Sequence, residues 1–242
     1  MSAVDPMSLR PLWTLDLGAR AVCCSAAGDV FVACNDTPEV LRIDARSGTV
    51  VATSTLALCA EALQVIGDAL VIITGAEVLA LEKSFDTRWV RAEPVCSATA
   101  SNDSLFVLTR DTALTRLDLR NGSVLWSRRV GRHILPQLAA AEDRVVYAVE
   151  SVVVGLSGAG AVCWVHSAPR RIVAGPGACG AGALAVADRT GIVRVLGIAD
   201  GKHVASYSAL PVRPIALTGS PSTVVGIGAD GDVWGIDLVT QA

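Results

Sequence analysis

The stretch that decides the fold is residues 102–126, which read Asn102-Asp-Ser-Leu-Phe-Val-Leu-Thr-Arg-Asp-Thr-Ala-Leu-Thr-Arg-Leu-Asp-Leu-Arg-Asn-Gly-Ser-Val-Leu-Trp126. Two short apolar runs, Ser104–Leu108 and Leu114–Asp118, are bounded by turn signals. The Asn-Gly pair at 121–122 is a strong hairpin signal because both residue types accept a positive φ. The stretch therefore predicts three successive antiparallel strands joined by short turns.

The tight turn at Asn102-Asp103 recurs along the chain at intervals of 35 to 40 residues. The recurring turns are Gly28-Asp29, Gly67-Asp68, Asn102-Asp103, Glu142-Asp143, Ala181-Gly182 and Pro221-Ser222. The strands that follow them are Val30–Ala33, Ala69–Ile73, Ser104–Leu108, Arg144–Ala148, Ala183–Ala187 and Thr223–Gly226. The next strands are Val40–Asp44, Val78–Glu82, Leu114–Asp118, Val152–Leu156, Ile192–Leu196 and Val233–Asp237. Four strands at a period near 40 residues are typical of β-propeller blades, and a β-sandwich would not repeat so regularly.

We therefore predict one all-β domain over residues 1–242, a six-bladed β-propeller with four antiparallel strands per blade. The two ends of the chain indicate how the ring closes. The sixth blade ends soon after its third strand, whereas residues 12–17 form a fourth strand without a blade. Trp13 in this strand matches Trp126 and Trp164 in other fourth strands. We expect residues 12–17 to pair with blade six, because that pairing hides two open sheet edges.

The run from Leu117 to Trp126 resembles the repeat of the PQQ-like (quinoprotein-type) propeller family, which reads aliphatic-Asp-x-x-Thr-Gly-x-x-x-Trp. Ile43–Gly48 matches the first half, with Ala52 at the Trp position, and Gly155–Trp164 keeps the Gly and the Trp. WD40 propellers are a weaker match, since no Gly-His…Trp-Asp signature appears. The resemblance implies a fold more than a function.

Four tryptophans recur at one position of the repeat, and this recurrence favours packing between blades over a ligand cage. They are Trp13, Trp89, Trp126 and Trp164. Quinone dehydrogenases that resemble this family use eight blades, a bound metal and a stacking tryptophan, whereas this chain has about six blades. Cys23-Cys24 resembles the adjacent cysteines of some such enzymes, but its place on an innermost strand favours packed thiols. We therefore expect no quinone and no other cofactor.

The channel side offers little for catalysis. The candidate ligands on innermost strands are Glu61, Gln64 and Gln137, and one carboxylate with two amides is a poor cage for a hard cation. The histidines lack metal-ligand spacing. A non-enzymatic protein-interaction propeller is therefore the leading interpretation. The alternative is a hydrolase or small-ligand binder with a site at the channel mouth, and a third is a sensor domain that only resembles quinoproteins.

Composition bounds the compartment and the partners. The start of the chain, Met1–Arg10, has an early acid and no apolar core, so we expect no secretory signal. We also expect no transmembrane segment, since the long uncharged stretch Ser151–Pro169 contains a turn at Gly155–Gly160. Seven cysteines without a C-x-x-C pair indicate free thiols in a reducing compartment. We expect a cytoplasmic protein that binds no nucleic acid, given its net charge of −3.

Arginines cluster just before four of the innermost strands. They are Arg20, Arg132, Arg171 and Arg213, and the same connections also carry Arg129, His133 and Arg170. The corresponding connections into blades two and three offer Glu61 and Glu93 instead. One face should therefore be basic over blades one, four, five and six. Because arginine pairs carboxylates with a planar fork, we expect this face to dock an acidic segment of a protein partner.

Overall fold

The computed structural model describes residues 2–4, 11–17, 21–27, 29–34, 37–131, 134–141, 143–179, 182–208, 214–220, 223–230 and 232–238. Every regular element in these ranges is a β-strand. The chain divides into two compact units, residues 1–95 with 119–122 and residues 96–118 with 123–242. Parts of four predicted turns lie outside the described residues, namely Gly28, Glu142, Ala181 and Pro221-Ser222.

The first unit contains a hairpin and two four-stranded antiparallel sheets, which we number one and two. The hairpin pairs β1 (Ser2–Val4) with β2 (Pro11–Thr14). Sheet one consists of β3 (Ala21–Ala27), β4 (Asp29–Cys34), β5 (Glu39–Asp44) and β6 (Val50–Thr55). Sheet two consists of β7 (Ala60–Ile66), β8 (Ala69–Thr74), β9 (Glu77–Glu82) and β10 (Thr87–Ala92).

The second unit contains sheets three to six, and sheet three begins at the unit boundary with β11 (Val95–Ser101). Sheet three continues with β12 (Ser104–Thr109), β13 (Ala113–Asp118) and β14 (Val124–Arg129). Sheet four consists of β15 (Ile134–Ala141), β16 (Arg144–Val149), β17 (Val152–Ser157) and β18 (Val162–Ser167). Sheet five consists of β19 (Ile172–Cys179), β20 (Ala183–Asp188), β21 (Val193–Gly197) and β22 (His203–Tyr207). Sheet six has three strands among the described residues, β23 (Pro214–Ser220), β24 (Thr223–Gly228) and β25 (Val233–Asp237).

Each sheet is a meander whose strands pair in chain order, as the repeat predicts. The second strands form the core: every residue of β8 and β12 is buried. The fourth strands alternate exposed and covered residues, because only one of their faces packs on the neighbouring sheet. Within the second unit, one apolar cluster joins sheets four and five through residues such as Val146, Leu184 and Leu196.

The predicted second and third strands all overlap observed strands, but the N-terminal strand differs from its prediction. The predicted strand covers residues 12–17, whereas the observed strand β2 covers only Pro11–Thr14. Its observed partner is β1, which the sequence analysis missed because three residues, Ser2-Ala-Val4, are too short to show a period.

The four recurring tryptophans make the same hydrogen bond in their repeats. Each indole N–H donates to a backbone carbonyl in the turn between the third and fourth strands of a sheet. The pairs are Trp13 with Ala45 at 2.9 Å, Trp89 with Leu119 at 2.9 Å, Trp126 with Gly158 at 2.5 Å and Trp164 with Ile198 at 2.8 Å. The prediction that these side chains serve packing in the repeat is confirmed by this shared geometry.

A glycine in the left-handed conformation lies under each of these indoles. The glycines are Gly48, Gly122, Gly160 and Gly201, with φ between +67° and +78°. An added Cβ would lie 2.5 Å from Trp13 at Gly48, 2.7 Å from Trp89 at Gly122 and 3.1 Å from Trp126 at Gly160. At Gly201 it would lie closer still to Trp164. Glycine is therefore required twice over, by the backbone conformation and by the aromatic ring above it.

Two repeats lack the tryptophan and replace it differently. In sheet one Ala52 stands at the tryptophan position. Among the described residues, the carbonyl of Lys83 accepts only the hydrogen bond from Arg42 at 3.3 Å, whereas the carbonyl of Gly158 accepts from both Arg116 and Trp126. The space is filled by Phe85, whose ring meets Phe31 edge-on with centroids 6.0 Å apart. In sheet five Ala205 stands at this position, and Trp234 of β25 packs in the same cluster.

We predict that Gly122→Ala destabilises the protein far more than Gly67→Ala does. Both glycines have a positive φ, +70° and +60°, but nothing lies within 4 Å of a Cβ at Gly67. Gly67→Ala should cost about 1 kcal/mol, from backbone strain alone. Gly122→Ala should cost about 2 kcal/mol more, because Trp89 must move. Chemical denaturation of both variants measures the difference, and equal losses would show that the indole contact contributes nothing.

Candidate functional site

The turns between second and third strands lie beside the connections that leave the fourth strands. Backbone hydrogen bonds join the two: Val130 N–H donates to Thr112 at 3.1 Å, and Ile172 N–H donates to Glu150 at 2.6 Å. We call this end of each sheet its connection end. The arginine-rich connections of the sequence therefore lie next to these turns, as the sequence analysis assumed.

Three of the seven predicted site residues are described. Arg20, Arg132, His133 and Arg213 lie outside the described residues. Arg170 and Arg171 lie side by side in the connection from β18 to β19, and both are exposed. Arg129 ends β14 and is also exposed. Whether the seven residues form one basic face stays a prediction.

The structure brings Arg170 and Arg171 together with a third arginine, Arg189, around an open concavity of about 640 Å³. Glu150, Ser151 and Pro169 complete its lining. Among the described residues, no ion pair or hydrogen bond engages the guanidinium group of any of these three arginines. The concavity thus presents three unpaired cations against one carboxylate, that of Glu150.

Arg189 was missed because the sequence analysis considered only the connections between blades. It follows β20 in the turn Asp188-Arg-Thr-Gly191. The backbone N–H of Arg189 donates to the carbonyl of Arg171 at 3.1 Å, which holds the two arginines at the same place. The signal that could have found it is this Asp-x-Thr-Gly turn, whose position in the repeat places it at the connection end.

Asp188 holds the turn that carries Arg189. Its side chain is fully buried, and one carboxylate oxygen accepts hydrogen bonds from the Thr190 hydroxyl at 2.5 Å and the Thr190 N–H at 2.8 Å. The other oxygen pairs with Arg194 at 2.7 Å. Burial opposes ionisation, but the hydrogen bonds from Thr190 and Arg194 outweigh it and hold the pKa of Asp188 below its usual range.

Arg129 is not part of this concavity. Its positive charge acts on Asp111, whose pKa is lowered first by a hydrogen bond from the Thr109 hydroxyl and further by Arg129. The two acids expected at the corresponding connections of sheets two and three, Glu61 and Glu93, lie in β7 and after β10. Glu93 pairs with Arg91 at 2.7 Å.

The residues that could serve catalysis are dispersed or engaged. In the described part of the chain, no three His, Cys, Asp or Glu side chains are placed to hold a metal ion. Gln137 accepts a hydrogen bond from the N–H of Gly175 at 2.5 Å, so it acts in the contact between β15 and β19. Burial and the nearby charge of His203 lower the pKa of His166, which is therefore neutral near pH 7.

Two further observations concern the compartment. Four described cysteines are free thiols, namely Cys59, Cys96, Cys163 and Cys179. The side chains of Cys23 and Cys24 lie outside the described residues. No helix within the described ranges is long and apolar enough to cross a membrane.

The repeated four-stranded meanders and their docked tryptophans define a protein of the β-propeller class. The model of one family, described as outer membrane protein assembly factor BamB, matches residues 39–213. The chain belongs to this family of PQQ-like propellers. No curated protein sequence matches the chain.

Solved propellers resemble this fold at low sequence identity. BamB from Moraxella catarrhalis is 17% identical with a TM-score of 0.62, covering 96% of this chain and 87% of that chain. The β-propeller domain of Myceliophteria thermophila Cps50 (Swd1) is 10% identical with a TM-score of 0.75, covering 99% and 89%. BBS1N in complex with ARL6DN is 18% identical with a TM-score of 0.72, covering 88% and 76%. At these identities the likeness shows the fold alone.

We predict that Asp188→Asn lowers the stability of the protein by about 2–3 kcal/mol at pH 7, since it leaves Arg194 without its charged acceptor. Because the pKa of Asp188 is lowered in the folded state, its carboxylate stabilises the protein at pH values above the pKa of an ordinary carboxyl group. This stabilisation is lost as the pH falls below about 4. The variant should therefore lose less stability than the original protein between pH 5 and about pH 3. Thermal melts across this pH range test it, and parallel curves would contradict the role of Asp188.

Proposed function

We propose that this protein is a non-enzymatic interaction propeller that docks an acidic segment of a protein partner at its connection end. The observation that carries this proposal is the group of three unpaired guanidinium groups of Arg170, Arg171 and Arg189 around one concavity. Arginine is the residue suited to this role because its fork donates two parallel hydrogen bonds to a carboxylate. An unpaired cluster also attracts an acidic partner before contact, which raises the association rate.

The class of function is supported by the kind of proteins that share the fold. The BBS1N propeller was solved in complex with a protein, ARL6DN, and the family is described as an assembly factor. Both descriptions name proteins that act through other proteins. For this chain we propose the same general role, with a partner whose identity is set by the chemistry of the concavity.

We also propose that the six sheets form one closed ring, in which residues 12–17 serve as the fourth strand of sheet six. Two observations support closure. Sheet six has three described strands, and its last strand β25 alternates exposed and partly covered residues, with Val233 69% exposed, as an unpaired edge does. Trp13 docks on the turn of sheet one in the same way as the tryptophans of the fourth strands.

The proposed compartment is the cytoplasm. The free thiols of Cys59 and Cys163 support it, because exposed cysteines persist unpaired in reducing compartments. The family is described as an outer membrane protein assembly factor, and the experiment on the partner is therefore done on separated cell fractions.

We predict that a tagged copy of the chain recovers a reproducible partner from the cytoplasmic fraction, identified by mass spectrometry. Replacing Arg170, Arg171 and Arg189 by glutamate should abolish recovery, and binding by the original protein should weaken with added salt. Arg46→Glu is the matched control, an exposed arginine in the turn between β5 and β6. Normal recovery by the triple variant would exclude this concavity, and recovery only from outside the cytoplasm would refute the proposed location.

We predict that deletion of residues 1–17 lowers the melting temperature by several degrees and promotes self-association, since it removes the Trp13 contact and leaves β25 unpaired. Deletion of residues 1–9 is the control, because it keeps β2 and Trp13 and should have a much smaller effect. Light scattering and thermal melts measure both. A monomeric 1–17 deletion with an unchanged melting temperature would show that the N-terminal strand does not close a ring.

A further inference from the structure

A second, smaller concavity of about 290 Å³ lies next to the arginine-lined one. Leu135, Ile172 and Val173 form its apolar lining, and Arg171 and Arg189 border it as they border the first. The two concavities therefore share two of their walls. We call the two adjacent concavities of the second unit the groove, with a cationic half and an apolar half.

The apolar half is held in place by the core beneath it. Ile172, 1% exposed, belongs to the buried cluster of sheets four and five. Leu135 packs against the same cluster while remaining partly exposed, and Val173 is half-buried beside it. These side chains begin β15 and β19, so their positions are fixed by strands rather than by a loop. An apolar surface of this kind is ready to receive a side chain without rearranging.

The border between the two halves is also fixed. The N–H of Ile172 donates to the carbonyl of Glu150 at 2.6 Å, and the N–H of Arg189 donates to the carbonyl of Arg171 at 3.1 Å. These bonds tie the connection before β19 to the turns before β17 and β21. Arg171 and Arg189 therefore border both halves, and their guanidinium groups have no partner among the described residues.

We propose that this groove recognises a linear peptide segment in which one apolar side chain is flanked by acidic residues. This proposal rests on the proposed function and specifies its ligand. The carboxylates would pair with Arg170, Arg171 and Arg189, and the apolar side chain would lie against Leu135 and Val173. Charge complementarity favours such a segment, since the lining carries three cations and one anion. A purely acidic tail would leave the apolar half exposed, and a purely apolar segment would leave the arginines unpaired.

The test uses the whole chain and four fluorescein-labelled peptides. The first is Gly-Glu-Glu-Leu-Glu-Glu-Gly. In the second, serine replaces the leucine; in the third, glutamine replaces every glutamate; the fourth carries both changes. Binding is followed by fluorescence anisotropy up to millimolar protein, at low and at physiological salt. The protein variants are Leu135→Ala and the isosteric Val173→Thr, each checked for an unchanged melting profile, with Val204→Thr as a control at an exposed valine on β22.

The original protein should bind the first peptide about tenfold more tightly than the serine peptide, as burial of a leucine side chain implies. In Leu135→Ala and Val173→Thr this ratio should fall below about threefold, and in Val204→Thr it should stay near tenfold. The glutamine peptides should bind at least tenfold more weakly than the first, with little dependence on salt.

Each contrary result has a separate meaning. Equal binding of the leucine and serine peptides by the original protein would overturn the apolar half of the groove and leave the acidic docking site standing. A leucine preference that survives both groove variants would place the leucine elsewhere and also overturn the proposal. If the glutamine peptides bind as well as the first, or if none of the four binds, the acidic docking site itself is refuted.

Discussion

The structure depends on one contact, an indole ring seated on a left-handed glycine. The ring buries a large apolar area, and its N–H satisfies a carbonyl in the turn, so the contact is both hydrophobic and directional. Four tryptophans make it with the same geometry. Trp89, Trp126 and Trp164 come from fourth strands and Trp13 comes from β2, whereas each glycine lies in a turn between third and fourth strands, so the contact fixes the distance between that turn and the indole ring. Each such contact therefore fixes the position of one turn, and of the sheet that carries it, against the tryptophan.

The two repeats without a fourth-strand tryptophan show that the volume and the hydrogen bond of the indole can be supplied by different residues. Arg42 donates to Lys83 where an indole would, and Phe85 fills the space with φ of +75° at a turn that has no glycine there. At sheet five Trp234 supplies the missing volume from a third strand, but its buried indole nitrogen has no hydrogen-bond partner among the described residues. Volume and hydrogen bonding are thus separable: at sheet one Phe85 supplies the volume and Arg42 the hydrogen bond, whereas at sheet five Trp234 supplies the volume alone.

Much of this architecture is readable from the sequence, and the reasons are local. Turn residues such as Asn121-Gly122 and the period near 40 residues predict the meanders, and the shared position of the tryptophans predicts their packing. The replacements Arg42 and Trp234 were not predictable, since they depend on contacts between residues far apart in the chain. The candidate site shows the same limit. Arg170 and Arg171 were found from their place before a strand. Arg189 lies in a turn that the repeat places at the connection end, but its hydrogen bond to Arg171 is visible only in the folded sheet.

The residues that hold the fold together and the residues of the proposed site lie in different segments of the chain. The site can therefore vary without a change in the contacts that maintain the fold. The docked tryptophans contact the turns between third and fourth strands, and the arginines lie in the other turns and in the connections. The most direct test of the account is hydrogen exchange of the indole N–H groups, followed by nuclear magnetic resonance of the intact protein. The account predicts that the indoles of Trp89 and Trp164, both buried and hydrogen-bonded, exchange slowest and are released only with global unfolding. Exchange of either indole at the rate of a free tryptophan, under conditions where the strands remain protected, would contradict it.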